Sequence, residues 1–306
     1  MIYEFIDQHR DEFRIVKMCM VLQVSKSGYY KWRKKEKSLA AIKKEELMNE
    51  ITRIFHKKRQ VYGSPRIKKE LEVLGKMGSQ TTIARYMNEL GLNAVSPRRY
   101  TVTTDSNHNE SFYPNLLSRK FYAEQPNQIW VADITYIWTS EGWIYLASIM
   151  DLFSRKIISW NIDIKLTKEL VLVALDRALN FRRPKEGMIH HSDRGSQYAS
   201  KEHIQVLKEN NIEISMSRKG DCYDNACIES FHSTLKKELI YRTKFKTREE
   251  AKLAVWDYIS SFYNEVRIHS TLNYLSPNIF ERLYEKEQQK SAQQTTVTFE
   301  KEQLAL

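Results

Sequence analysis

The chain is poor in cysteine, with three among 306 residues: Cys19, Cys222 and Cys227. That excludes a disulfide framework and fits a reducing cytosol. Cys222, Cys227 and His232 recur every five residues. The spacing suits no single helix face and no second cysteine pair exists, so zinc is not expected. No apolar run is long enough to span a bilayer. The segment Met1-Ile2-Tyr3-Glu4-Phe5-Ile6-Asp7 lacks a basic stretch followed by an apolar one, so a signal peptide is not expected. There is also no internal repeat, no sustained heptad array and no Gly-x-Ser-x-Gly elbow; the last absence argues against a Ser–His–Asp hydrolase.

Basic charge is plentiful, and it is lopsided. Residues 1–125 hold 24 Lys and Arg against 14 Asp and Glu, whereas residues 126–306 hold 25 against 24. A basic amino-terminal part favours a polyanion, because neutralising phosphates releases condensed counterions.

Helical patterns fill that basic part. Residues 10–36 read as two short helices, near Glu12–Leu22 and from the N-cap Ser25 onward. Residues 1–40 are taken as an N-terminal helical segment. Within 41–95, Ile42, Leu47, Ile51, Ile54 and Phe55 sit at helical spacing. Ser64-Pro65 opens a second helix, Gly75-Lys76-Met77-Gly78 makes a turn, and Ser79 caps a third. Two helices across a short glycine turn fit a helix-turn-helix, and equally a plain three-helix bundle. In the first reading the last helix enters the major groove, and Gln80, Thr81, Thr82 and Arg85 face bases or phosphates. Residues 96–125 read as a linker, where Arg98 and Arg99 either track the DNA backbone or keep the segment solvated.

From Gln128 the period changes. Ile129–Thr139, Trp143–Leu152 and Lys156–Ile164 read as three antiparallel strands, followed by a helix over Thr167–Phe181. Gly187–His191, Lys201–Glu209 and Ile212–Met216 give strand, helix and strand, and a long helix spans about Asp224–Tyr241. The expectation is an α/β class protein with one mixed sheet covered by helices, over 126–242. A helical extension, with a Thr247-x-x-Glu250 capping box, occupies 243–284. The Gln-rich residues 285–306 are expected to be disordered.

Three carboxylates stand out. Asp133 interrupts an apolar strand in Trp130-Val131-Ala132-Asp133-Ile134-Thr135-Tyr136. Asp193 follows the fourth strand in His191-Ser192-Asp193-Arg194-Gly195-Ser196-Gln197-Tyr198, and Glu229 lies on a helix 35 intervening residues later. Each has an ordinary reading as a paired buried acid, a turn former or a solvated helix residue. Together they suit hard divalent cations and in-line phosphoryl displacement. Lys236 lies two helical turns after Glu229, on roughly the same face, and either contacts a phosphate or base or is one more solvated lysine beside Lys237. His191 and Asn225 are supporting candidates; His191 either orients the carboxylate or a phosphate, or is equally a satisfied strand-end histidine.

These blocks resemble the DDE transposase and retroviral-integrase superfamily, and more narrowly the catalytic frame of the IS3 group of bacterial insertion-sequence transposases. Tyr62-Gly63-Ser64-Pro65-Arg66-Ile67 is similar to the group's helix-turn-helix segment. The three acidic blocks, with Asp224-Asn225-Ala226-Cys227-Ile228-Glu229-Ser230-Phe231 as the third, resemble its catalytic motifs. Tyr263-Asn264-Glu265-Val266-Arg267-Ile268-His269, then Leu272, Tyr274, Ser276 and Pro277, resembles its carboxy-terminal signature. The resemblance implies a ribonuclease-H-like core preceded by an all-α helix-turn-helix region and followed by a helical cap. It implies that Asp133, Asp193 and Glu229 hold two magnesium ions, with manganese able to substitute. The activity implied is strand cleavage at insertion-sequence ends and 3′-hydroxyl strand transfer into target DNA. Implied partners are the terminal inverted repeats and target DNA, further copies of the chain in a synaptic complex, and an upstream-frame helix-turn-helix protein. A cytoplasmic, nucleoid-associated location without membrane contact follows. A non-enzymatic DNA-binding regulator would leave the three acids unexplained, and a simple nuclease would leave the amino-terminal helices unexplained.

Overall fold

The computed structural model describes residues 1–34, 38–94, 112–218 and 222–303. Arg98 and Arg99 lie outside the described residues. At the amino terminus, α1 (Ile2–Gln8), α2 (Ile15–Val21) and α3 (Lys26–Arg33) pack around Ile6, Met18, Cys19 and Tyr29. The sequence pattern anticipated only the last two; α1 is a two-turn helix that buries the single residue Ile6, too short a stretch to show a period. Ser25 caps α3 as expected, its Oγ accepting from Gly28 N at 2.9 Å. The Tyr29 hydroxyl donates to Asp7 at 2.7 Å and ties α3 to α1.

Next come α4 (Leu39–Lys57), α5 (Ser64–Val73) and α6 (Gln80–Glu89), which share a core of Ile51, Ile54, Phe55, Ile67, Leu71, Ile83 and Met87. Pro65 sits in the first turn of α5, where its missing N–H costs little. Gly75 follows α5 at φ +69°, a conformation costly for any residue with a Cβ. Ser79 Oγ accepts from Thr82 N at 3.1 Å and starts α6. This helical unit is seated on the rest of the molecule. Tyr62 is fully buried; its hydroxyl donates to Val266 O at 3.2 Å and accepts from Ile268 N at 2.9 Å.

The sheet contains β1 (Ile129–Thr139), β2 (Gly142–Asp151), β3 (Ile157–Asp163), β4 (Ile189–Ser192) and β5 (Glu213–Met216) in the order β3-β2-β1-β4-β5. The first three form an antiparallel meander, while β4 runs parallel to both β1 and β5. This is the ribonuclease-H-like arrangement. Side chains alternate across β1. Trp130 and Ala132 meet α7 (Lys168–Arg182) and α8 (Lys201–Glu209); Val131 and Ile137 join the layer built by α9 (Ala226–Glu238) and the carboxy-terminal helices.

Thr247 caps α10 (Arg248–Asp257) at 3.1 Å to Glu250 N, and the Glu250 carboxylate returns to Lys246 N at 2.8 Å. Past Asp257 the helix widens into a π-helical stretch over Tyr258–Tyr263. α11 covers Pro277–Gln303, so the backbone from 285 to 303 is helical where disorder was expected. Glu, Gln, Lys and Ala are good helix formers, so a helix begun by docked residues continues through them. Its start is clamped by Glu281, which is buried, pairs with Arg182 and accepts from Lys156 Nζ at 2.9 Å. The later part of the expected linker is not free either. Leu117 and Ala123 are buried, Leu116 N donates to Ser215 Oγ at 2.9 Å, and Arg119 pairs with buried Asp224 at 3.0 Å.

Candidate active site

Register brings the two aspartates together. Ala132 of β1 pairs with Ser192 of β4, so Asp133 and Asp193 are the next residues on neighbouring parallel strands. Adjacent strands lie about 4.8 Å apart. Asp133 extends toward α9, since His232 on that helix places Nδ1 3.1 Å from its Oδ2. Asp193 leaves the strand and turns: its Oδ1 accepts from Gly195 N at 2.9 Å. A Cβ at Gly195 would stand 3.0 Å from that Oδ1 and 3.2 Å from Gln197 Oε1, so the tight turn favours glycine.

α9 lies across the same face. Ile228, Phe231 and Leu235 are buried against the sheet, which fixes the helix rotation. Glu229, His232 and Lys236 then form one stripe at i, i+3 and i+7. Glu229 has no hydrogen-bond partner among the described residues, yet feels both aspartates. Burial, then Asp133, then Asp193 raise its pKa to about 7. Burial and the neighbouring Asp133 also raise Asp193 to about 7. Lys236 is shifted down by burial, against the pull of Asp133. Four residues singled out from sequence therefore share one electrostatic neighbourhood.

Among the described residues, no group of three or more His, Cys, Asp or Glu is drawn together at metal-ligand spacing. The trio is a set of mutually repelling carboxylates, not a closed shell. Its chemistry still fits a hard divalent cation. The donors are all carboxylate oxygens, and two of them resist ionisation because burial and the neighbouring aspartate charges disfavour the anion.

The supporting candidates fare differently. His191 does not touch Asp193. It is buried between two serines, with Nδ1 2.8 Å from Ser215 Oγ and Nε2 3.2 Å from Ser217 Oγ. Burial lowers its pKa to about 4, so it braces β4 against β5 as a neutral ring. Asn225 is buried and donates from Nδ2 to Ala132 O at 3.0 Å, fastening the start of α9 beside Asp133. Gln80, Thr81 and Arg85 are exposed along α6 and Thr82 is half-buried; all four lie away from the acidic trio, on the helix-turn-helix unit.

Sequence reasoning missed His232 as a partner of Asp133, having considered it only as a zinc ligand. Its Nε2 lies 2.6 Å from Ser148 Oγ on β2. The available signal was its spacing: three residues after Glu229, it must share that face. Cys227 turns elsewhere, accepting from Arg155 Nη1 at 2.7 Å.

Comparison with known proteins identifies the family. Two models described as integrase core domain match residues 123–222 and 210–277, and an HTH-like domain model matches 43–100. The insertion element IS600 uncharacterized 31 kDa protein of Shigella sonnei is 43% identical over 267 residues, covering 87% of this chain and 98% of that protein. The transposase InsF for insertion sequence IS3A of Escherichia coli strain K12 is 40% identical over 281 residues, covering 91% and 98%. The HTLV-2 integrase catalytic core domain in complex with magnesium, in its trimeric form, is similar over 52% of this chain and 99% of that one, at 17% identity and a TM-score of 0.40. That last likeness is too distant to carry a residue assignment. The chain belongs to the IS3-group insertion-sequence transposases, polynucleotidyl transferases of the DDE type with an integrase core.

Proposed function

We propose that this chain cleaves DNA at the ends of an insertion sequence and joins the freed 3′-hydroxyl to target DNA, with Asp133, Asp193 and Glu229 as the catalytic carboxylates. One observation carries the reading: the register that sets Asp133 beside Asp193, with Glu229 facing both from α9. Two magnesium ions held there would activate the attacking oxygen and stabilise the leaving one; manganese would substitute. Asp133, Asp193 and Glu229 are the residues that would hold the cations. His232 acts as a positioning residue. A carboxylate only accepts, so Nδ1 donates to Asp133, while Nε2 faces the Ser148 hydroxyl. Lys236, on the same stripe, meets a phosphate of the bound strand.

The exposed residues Gln80, Thr81 and Arg85 of α6, with Thr82, present a groove-reading face, and the basic amino-terminal part supplies phosphate contacts. The DNA partners are the terminal repeats and the target. Several copies assemble with them, and an upstream-frame helix-turn-helix protein assists. The enzyme works in the cytoplasm at the nucleoid. No described helix is long and apolar enough to cross a membrane.

The test is the set Asp133→Asn, Asp193→Asn and Glu229→Gln, assayed for magnesium-dependent cleavage and for joining of a labelled 3′-hydroxyl end. Each is expected to bind DNA like the parent and to lose both reactions. Cleavage that survives in all three variants refutes the assignment; hydrolysis without joining in the parent favours a nuclease.

A further inference from the structure

Beside the acidic site, on the other flank of α9, lies a cavity of about 290 Å³ where α5, α9 and the loop after the π-helical stretch meet. Three guanidinium groups line it, from Arg66, Arg155 and Arg267, and no Asp or Glu does. Arg267 is matched by buried Glu238 at 2.8 Å, and Arg66 reaches the same carboxylate only at 4.0 Å. Arg155 has no carboxylate partner among the described residues. It donates to the Cys227 thiol at 2.7 Å and to Phe121 O at 2.8 Å. One acid against three guanidiniums leaves the cavity electropositive. His269 is pushed down to about 2 by burial and then by Arg267, Arg66 and Arg155, so all three charges converge on one spot.

The remaining polar lining is hydroxyl. Ser230 and Thr234 of α9, with Ser270 and Thr271 of the loop, form no side-chain hydrogen bonds to described residues. Ser230, Ser270 and Thr271 are exposed, so the mouth opens to solvent. Guanidiniums with free hydroxyl donors around a small basin are the chemistry of a phosphate seat.

We infer that this cavity binds a phosphate-class anion, and that the anion is a backbone phosphate of a DNA strand passing over α9. The anion class rests on the lining alone. The strand as its source rests on the proposed function, because Ser230 immediately follows Glu229 on the helix. Arg66 belongs to the helix-turn-helix unit and Ser230 to the catalytic helix, so one phosphate would be held by both.

The experiment measures binding of the full chain to a short labelled duplex of arbitrary sequence, by fluorescence anisotropy in EDTA across a salt series. Without divalent cations no cleavage contributes, so failure of the catalytic assignment cannot imitate failure here. Arg66→Gln is expected to weaken binding several-fold and to reduce the slope of log affinity against log salt by about 1, one phosphate contact. Thr271→Glu, a change at an exposed position, should weaken binding by repulsion without a folding penalty. Lys201→Gln, on α8 across the sheet, should leave the slope unchanged. The site is overturned if folded Arg66→Gln and Thr271→Glu both bind with the parent slope, or if Lys201→Gln moves it equally. Inorganic pyrophosphate is the second probe. If it raises the melting temperature of the parent but not of Arg66→Gln, while both bind duplex alike, the ligand is a free phosphate compound and the strand assignment fails.

Discussion

Asp133 Oδ2 and His232 Nδ1 lie 3.1 Å apart, linking the central strand to the helix one turn beyond Glu229. With Ser148 on its other nitrogen, the imidazole bridges β1, β2 and α9. It can therefore fix both the rotamer of one carboxylate and the height of the helix that carries another.

His232→Ala is accordingly expected to slow cleavage by roughly 10- to 100-fold, the usual cost of losing an outer partner of a metal ligand. Duplex affinity in EDTA should stay unchanged. The magnesium concentration for half-maximal rate should rise, and His232→Asn should recover part of the loss. A rate and magnesium dependence equal to the parent in His232→Ala would remove the positioning role.

Metal binding should be steeply pH-dependent. Asp193 and Glu229 are raised to about 7, so below that pH a cation must displace their protons. Apparent magnesium affinity is expected to climb from pH 5.5 toward about 7 and then level off. The same raised values mean that these two acids withdraw a share of the metal-free protein's stability as pH rises from about 4 through about 7, because the unfolded acids ionise first. Asp193→Asn should melt above the parent at pH 8 without metal and lose that advantage near pH 4. Calorimetry across this range checks both signs.

Buried histidines act in the opposite sense. His191 and His203 are lowered to about 4, and His269 to about 2, mainly by burial. A depressed value gives stability that is present above the ordinary histidine value of about 6.5 and lost as pH falls toward 4. The melting temperature should drop over that acid range despite the protonation of the carboxylates. His203→Phe is the sharpest probe: neither of its buried ring nitrogens has a partner among the described residues, so a neutral ring should flatten the acid limb.

Tyr62→Phe tests the seat of the helix-turn-helix unit. The lost hydroxyl served Val266 O and Ile268 N, and leaving a buried N–H unpaired costs about 1–3 kcal/mol. Urea unfolding should show that loss. Limited proteolysis should cut between the helical unit and the sheet sooner than in the parent; an unchanged digestion pattern would mean that Arg59 and Asp257, 2.9 Å apart, hold the seat instead.

Much of this arrangement was legible in the residues. Alternation over Ile129–Thr139 gave a strand, Ser25, Ser79 and Thr247 gave helix starts, and the break at Gly75 gave the turn, because each depends on neighbours within a few positions. The tail was misread because composition alone does not reveal that Glu281 anchors the helix that carries it. Between an orienting role and a satisfied strand-end histidine, the residues near His191 could not choose, because its serines lie 24 and 26 residues away.

The order of residues alone determined which side chains carry charge, the period of each element and the family blocks themselves. Only the tertiary structure decided that His232 meets Asp133, that Tyr62 joins the residues around Arg267, and that Arg66, Arg155 and Arg267 face one cavity. Those pairings cross from 89 to more than 200 residues of chain. Local propensity holds no information on such contacts; strand register and helix rotation, both set by the burial of apolar faces, create them.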